Sequence, residues 1–166
     1  MRLLEAANRQ INRLLALLAG VALATMMVFA VADMVMRGMG RTIAGSYEII
    51  GWLSAAAMAL VLGSVQQHRG HVAIDLLVTR LRPGWRAAIE LLMSLCALLL
   101  FAVLTWTLAA YGRTLQETGS LSETLRAIVY PWVYVVAAGA GGLALALLVD
   151  FCRAAAHCAQ ALRGTA

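Results

Sequence analysis

Four long stretches that are almost free of charged residues constrain this sequence more than any other feature. They lie at about residues 14–36, 47–66, 88–110 and 129–150. Each is close to the ~20 residues that an α-helix needs to cross about 30 Å of hydrocarbon. Hydrophobic residues make up 63% of the chain and charged residues 13%, against about 25% charged in an average soluble domain. The sequence therefore predicts an all-α integral membrane protein, a single membrane domain of 166 residues with four transmembrane helices.

The segment between the second and third stretches has a different pattern. Residues 71–82 read HVAIDLLVTRLR, which is too short to cross a bilayer. On a helix of 3.6 residues per turn, its apolar and polar residues fall on opposite faces. The apolar face holds Ile74, Leu77, Val78 and Leu81, and the polar face holds His71, Asp75, Thr79 and Arg82. We expect an amphipathic interfacial helix that lies on the membrane surface and contacts lipids.

The arginines outside the four stretches are distributed unevenly. Nine lie in the two terminal segments and the middle loop, at positions 2, 9, 13, 69, 80, 82, 86, 153 and 163. Four lie in the other two loops, at positions 37, 41, 113 and 126. Because positive charge concentrates on the cytoplasmic side of a membrane protein, we expect both termini in the cytoplasm. Topology explains the net charge of +5 better than a nucleic-acid partner does.

Small residues recur at every fourth position along the second stretch, at Gly51, Ala55, Ala59 and Gly63. Such a stripe lets the backbone of another helix approach closely inside a membrane. The pattern fits two uses, packing within this four-helix unit and docking onto a second membrane protein.

Asp33 and Glu48 are the acidic residues that lie within the stretches and away from the predicted cytoplasmic edge. An ionisable group at mid-span costs about 2.5–3.5 kcal/mol on insertion scales. We expect Asp33 to pair with Arg37 one helical turn later, and Glu48 to be stabilised by the positive N-terminus of its helix. A subunit contact, or the coupling of transport to protons or cations, is an alternative role for both carboxylates.

The histidines indicate that this chain is not an enzyme. His68, His71 and His157 all lie outside the four stretches, whereas a membrane haem protein needs axial ligands that face each other from within its spans. The sequence also lacks a metal-ligand cluster, a nucleophilic triad, a phosphate-binding loop and a CxxC pair. We therefore expect no catalytic residues, no metal and no cofactor.

Two motifs carry a resemblance to a known family. The first is Glu48 at the head of a stretch that runs to Gly63, followed by RGHV at 69–72 and then by Asp75, Leu76 and Leu77. The second leads into the fourth stretch and holds Ser122, Thr124, Leu125, Pro131, Trp132 and Tyr134. With these motifs and its four stretches, the chain resembles the small membrane subunit (DctQ-like) of tripartite ATP-independent periplasmic (TRAP) transporters over roughly residues 10–155.

The resemblance implies a place in a three-part uptake system of the bacterial inner membrane. In such systems a soluble periplasmic solute-binding protein captures the substrate, often an organic acid. A large membrane subunit then moves it inward, driven by a sodium gradient. The small subunit binds the large one and extends the static scaffold against which the moving domain slides.

Candidate residues follow from this expected assembly. Glu48 and the small-residue stripe are candidates for helix packing or for contact with the large subunit. An interfacial motif is expected to brace the complex at the cytoplasmic surface and consists of Gly70, His71, Asp75 and Arg82. Glu117, Glu123 and Arg126 lie in the loop between the third and fourth stretches, which is expected to face the periplasm. This position makes them candidates for contact with the binding protein. Pro131 and Trp132 complete this periplasmic set.

Two functions from other classes are alternatives. A self-sufficient small homodimeric exporter would use Glu48 or Asp33 as its coupling carboxylate. An anchor subunit of a membrane redox enzyme would bind haem or quinone, for which the four stretches offer no histidine ligand.

Overall fold

The structure is a computed structural model that describes residues 2–68 and 83–163, with side chains at 4–68, 89 and 91–156. The predicted interfacial helix at 71–82 therefore lies outside the described residues, as does its motif of Gly70, His71, Asp75 and Arg82.

Four α-helices make up most of the described chain: α1 (Arg2–Gly38), α2 (Ser46–Gln67), α3 (Pro83–Thr118) and α4 (Tyr130–Arg163). All four are long and apolar enough to cross a membrane. This confirms the predicted fold class, an all-α protein with four transmembrane helices.

Three of these helices extend well beyond the apolar stretches that predict them. α1 has 37 residues, about 55 Å at a rise of 1.5 Å per residue. It is unbroken where the N-terminal segment, residues 2–13, meets the first apolar stretch, which begins at residue 14. α3 continues to Thr118 and α4 to Arg163. The additional turns are rich in Arg, Gln, Ala and Leu, which favour helix in water as well as in lipid. Hydropathy thus marks the part of a helix that fits the hydrocarbon and not the ends of the helix.

α2 and α4 form the centre of the bundle, and α1 and α3 lie outside them. α1 packs mainly against α2, and α3 packs against α4. In the most apolar 18 residues of each helix, 44% are buried in α4 and 28% in α2, against 6% in α1 and none in α3. The two outer helices therefore present broad apolar sides along much of their length, with exposed side chains such as Val28, Met34 and Val103.

The central pair is in contact at backbone distance. A Cβ added to Gly139 of α4 would lie 2.5 Å from the carbonyl group of Ala59 in α2 and 2.8 Å from the amide nitrogen of Leu60. The buried residues around this crossing are mostly alanine, including Ala56 and Ala140. Small side chains allow this approach, which is the usual way that helices associate in a membrane.

Contacts between remote residues define two ends of this bundle. At the loop end, α1 leads into α2 through residues 39–45, and α3 leads into α4 through residues 119–129. At the terminal end, the first turns of α1 meet the end of α2 and the part of α4 around Arg153, as the contacts of Asn8 with Gln67 and of Glu5 with Arg153 demonstrate.

Candidate functional site at the loop end

Arg37, in the last turn of α1, joins α1 to the start of α2. Its Nε donates to Asp33 Oδ2 at 2.8 Å, which confirms the predicted ion pair one turn apart. Its other two nitrogens donate to Tyr47 Oη at 3.2 Å and Ser46 Oγ at 3.3 Å. The guanidinium also lies 4.9 Å from the centre of the Tyr47 ring, a cation–π distance. Arg37 thus neutralises an acidic residue of α1 while it fixes the first turn of α2.

Asp33 is the buried carboxylate of this cluster, with 7% of its surface exposed. One oxygen accepts from Arg37, and the other, Oδ1, has no hydrogen-bond partner among the described residues. A buried carboxylate is costly unless it is paired. Arg37 supplies that charge, so the contact accounts for Asp33 as a structural group.

Glu48, in the first turn of α2, binds the backbone of the loop at 119–129. Its Oε1 accepts from the Thr124 amide at 2.8 Å, and its Oε2 accepts from the Leu125 amide at 3.1 Å. These residues lie 76 and 77 positions further along the chain. Hydrogen bonds to a carboxylate are stronger than those between neutral groups. The carboxylate therefore anchors the loop at 119–129 to the first turn of α2, which follows the loop at 39–45.

The loop at 119–129 also has hydrogen bonds of its own. The Ser122 amide donates to Ala127 O at 2.9 Å, and the Ala127 amide donates to Ser122 Oγ at 3.2 Å. An antiparallel bridge joins Leu121 to Ile128 just outside this pair. Arg126 is left-handed at a φ of 49°, an uncommon conformation for a residue other than glycine. The loop is thus a short hairpin with a defined shape.

Gly45 lets this hairpin seat against α2. It precedes the helix with a left-handed φ of 73°, and a Cβ at this position would lie 2.7 Å from Leu125 Cδ2. Both the backbone conformation and the close contact therefore favour glycine.

The predicted periplasmic candidates divide into exposed and packed residues. Glu117, Glu123, Arg126 and Pro131 are exposed at the loop end. Trp132 is half-buried and stacks on Trp52 of α2, with ring centres 5.6 Å apart. Pro131 occupies the first turn of α4, where its missing N–H leaves no hydrogen bond unmade.

The predicted small-residue stripe of α2 also divides into two halves. Gly51 and Ala55 are exposed, and nothing lies within 4 Å of a Cβ added to Gly51. Ala59 is buried against α4, and Gly63 is buried against Asn12 of α1 and Gly142 of α4. The half nearer the loop end is thus open, whereas the other half is used within this chain.

A family model described as the DctQ component of tripartite ATP-independent periplasmic transporters matches residues 26–157. This match covers most of the chain, including Asp33, Glu48 and the hairpin at 119–129. The chain belongs to the DctQ family. It is therefore a small permease subunit of a TRAP transporter, from a family of transporter components and not of enzymes. No curated protein and no solved structure matches the chain.

Asn12 is the centre of a second polar cluster in this DctQ chain, at the terminal end. The side chain has none of its surface exposed. Its Nδ2 lies 2.7 Å from Asn8 Oδ1, 3.1 Å from Asn8 O and 3.2 Å from Gly142 O. Because oxygens surround this atom on three sides, it must be the amide nitrogen, and it joins α1 to α4.

The amide oxygen of Asn12 faces two glycines. It has no conventional hydrogen-bond partner among the described residues. A Cβ at Gly63 would collide with this oxygen, and one at Gly142 would lie 3.0 Å from it. The α-carbon hydrogens of these glycines thus stand close to the oxygen, as in weak Cα–H···O contacts between helices.

Polar pairs around Asn12 complete the terminal-end cluster. Gln67 Nε2 donates to Asn8 O at 3.0 Å, and Gln66 Nε2 donates to Asp150 Oδ2 at 2.9 Å. Arg153 lies 3.0 Å from a carboxylate oxygen of Glu5. All of these contacts join α1 or α2 to another helix.

Sequence reasoning missed this cluster, and it also missed Gly45. Asn8 and Asn12 precede the family match, which begins at residue 26. The available signal was a pair of asparagines one helical turn apart in a helix that is otherwise mostly apolar. Among the residues that the structure describes, no group of three His, Cys, Asp or Glu side chains could hold a metal ion in this DctQ chain.

Proposed function

We propose that this DctQ chain is a static scaffold subunit of a TRAP-type uptake system in the bacterial inner membrane. It binds a large membrane subunit that imports a small solute, an organic acid by family resemblance, using an ion gradient. A periplasmic solute-binding protein delivers the solute. In this proposal the chain itself carries no substrate site and no coupling carboxylate.

The use of Glu48 carries the proposal. A coupling carboxylate must exchange its partners as a proton or cation binds and leaves. Glu48 instead accepts two backbone N–H groups of the hairpin, one on each oxygen. Asp33 is similarly engaged by Arg37. Glu48 therefore fixes one part of the chain against another, and Asp33 is neutralised within its own helix, which suits a scaffold.

The proposed orientation places the terminal end in the cytoplasm and the loop end in the periplasm. It follows from the excess of arginine in the terminal segments and the 69–86 loop. The exposed residues Glu117, Glu123 and Arg126 then face the compartment of the binding protein. Because Glu48 holds the hairpin at 119–129, Glu123 and Arg126 would be presented on a surface of fixed shape.

The open half of the stripe, Gly51 and Ala55, is our candidate surface for the large subunit. Both residues are exposed beside the loop end, so they leave room for a helix of a partner to approach. Ala59 and Gly63 are already covered by this chain's own helices.

The first test is affinity purification of the tagged chain from its native membranes in mild detergent, with partners identified by mass spectrometry. We expect a large polytopic permease in about equal amount. Recovery of the chain alone as a stable homodimer would contradict the scaffold role and favour the exporter. Transport by the reconstituted chain alone, abolished in Glu48→Gln, would establish that exporter.

Leucine substitutions separate the two halves of the stripe. We expect Gly51→Leu with Ala55→Leu to lower the yield of permease while the chain keeps its own thermal stability. Ala59→Leu should instead lower the stability of the chain, because leucine overpacks the crossing with α4. Gly20→Leu, on the exposed side of α1, is the matched control for added bulk. Unchanged complex yield in the first variant would exclude this surface.

The loop surface needs its own test. We expect neutralisation of Glu117, Glu123 and Arg126 together to reduce uptake by weakening contact with the binding protein, while the permease still co-purifies. Normal uptake by the triple variant would remove these residues from the proposal.

A further inference from the structure

A cavity of about 350 Å³ lies at the terminal end, away from the loop-end site. The first turns of α1, the end of α2 and residues 146–153 of α4 contribute its described walls. Ligand pockets commonly measure about 300–1,000 Å³, so this volume suits a small polar group. The scaffold role described above makes no use of it.

Cationic and hydrogen-bonding groups form one part of the wall. Arg9 lines the cavity, and no described carboxylate lies within 4 Å of its guanidinium. His68 also lines it, with Nδ1 2.8 Å from Ser64 O. Since a carbonyl oxygen can only accept, Nδ1 carries the hydrogen, and Nε2 of the neutral ring is left as an acceptor that cannot donate to a phosphate oxygen. Arg9 is therefore the group in this part of the wall that fits a phosphate.

Two carboxylates form another part of the wall. Glu5 and Asp150 line the same cavity, and Arg153 lies 3.0 Å and 3.7 Å from them. Each carboxylate keeps free acceptor positions beside those that Arg153 and, at Asp150, Gln66 fill. They would repel a ligand with negative charge alone and would attract an ammonium group. Opposite charges within one cavity therefore select a zwitterion.

The position of the cavity selects a membrane lipid as the source of that zwitterion. α2 ends at Gln67, and the apolar stretch of α4 ends near residue 150, so the cavity lies where the helices leave the hydrocarbon. An apolar cleft lined by Leu4, Leu148 and Cys152 adjoins it and shares Glu5 and Val149 with it. The cleft suits methylene groups next to a polar headgroup.

We propose that this cavity binds the headgroup of a phosphoethanolamine lipid, with the phosphate at Arg9 and the ammonium at Asp150 and Glu5. A primary ammonium can donate hydrogen bonds to these carboxylates, whereas the trimethylammonium of a choline lipid cannot. The binding requires only this chain, so it holds or fails independently of the partners in the scaffold role.

The test is native mass spectrometry of the full chain, purified from membranes and mixed with equal amounts of dioleoyl phosphatidylethanolamine, phosphatidylcholine and phosphatidylglycerol. We expect the ethanolamine lipid to be retained most. Arg9→Gln should weaken retention of the ethanolamine and choline lipids about three- to tenfold, the effect of one partly exposed charge-assisted hydrogen bond. Asp150→Asn should lower the ethanolamine lipid to the level of the choline lipid.

Arg13→Gln is the matched control, because Arg13 is an exposed arginine one turn after Arg9 that does not line the cavity. It should retain each lipid as the unmodified chain does. Equal retention of the three lipids, or equal losses in the Arg9 and Arg13 variants, would overturn the proposal. So would displacement of the lipid by an equal concentration of soluble phosphoethanolamine, which would identify a site for the free headgroup.

Discussion

At the loop end, charged side chains join the helices by binding hydroxyl groups and backbone amides, whereas at the terminal end a buried neutral amide does so. Arg37 and Glu48 hold a first turn and a hairpin near the surface. Asn12 holds α1 against α4 in a site from which solvent is excluded. The contacts at the loop end thus fix the shape of exposed segments. The contacts at the terminal end fix the position of α1 relative to α4. Substitutions that act on only one of these tasks can test that division.

The largest effect is expected from Gly63→Ala at the terminal end. The new methyl group would collide with the Asn12 amide and lie 3.0 Å from the Gly142 backbone. Overpacking of this kind costs about 1–3 kcal/mol. Gly51→Ala is the control on the same helix, since nothing lies within 4 Å of its added Cβ. Thermal unfolding in detergent, followed by tryptophan fluorescence, should show a lower midpoint for Gly63→Ala alone. Equal midpoints would mean that the terminal end is loosely packed.

Asn12→Ala should have the next largest effect, because it removes the hydrogen bonds to Asn8 and Gly142. Hydrogen bonds between membrane helices are worth about 0.6 kcal/mol on average and about 1.7 at most. The same substitution removes the nearest obstacle to a methyl group at Gly63, the Asn12 amide, and leaves the Gly142 backbone in place. In a double-mutant cycle, Gly63→Ala should therefore cost less in the Asn12→Ala background. Additive losses would show that the two residues do not act together.

The distance along the chain between contacting residues explains what could be predicted from the sequence at either end. The four helices follow from hydropathy, and the Asp33–Arg37 pair follows from a spacing of four residues, because both signals are local. The bond from Asn12 to Gly142 spans 130 positions and exists only once the helices are packed. The small-residue stripe predicts close contact at every fourth position of α2, but within this chain only Ala59 and Gly63 are covered by other helices.

Glu48→Gln tests the loop end. Glutamine is neutral and has an NH2 group in place of one of the two carboxylate oxygens, so it cannot accept from both hairpin amides as Glu48 does. The hairpin should therefore open more often. We expect severalfold faster hydrogen exchange at the amides of Thr124 and Leu125, with little change in the unfolding midpoint. Glu123→Gln, an exposed carboxylate of the same hairpin, is the control. Unchanged exchange in the Glu48 variant would show that the carboxylate does not hold the hairpin.

The smallest effect is expected from Arg153→Gln, which breaks the charged pair at the rim of the terminal end. The side chains of Arg153 and Glu5 are 51% and 32% exposed, and exposed pairs contribute about 0.2–1 kcal/mol. Salt screens such pairs, so the loss in unfolding midpoint should shrink in high salt, whereas the loss in Asn12→Ala should not. If the unfolding midpoint fell by a similar amount in both variants and salt changed neither loss, the charged pair and the buried amide would contribute to the stability of the terminal end in the same way. The pair of Arg153 and Glu5 would then be part of the packed cluster around Asn12, because an ion pair that salt does not screen must be shielded from solvent. In that case the terminal end would differ from the loop end only in its burial.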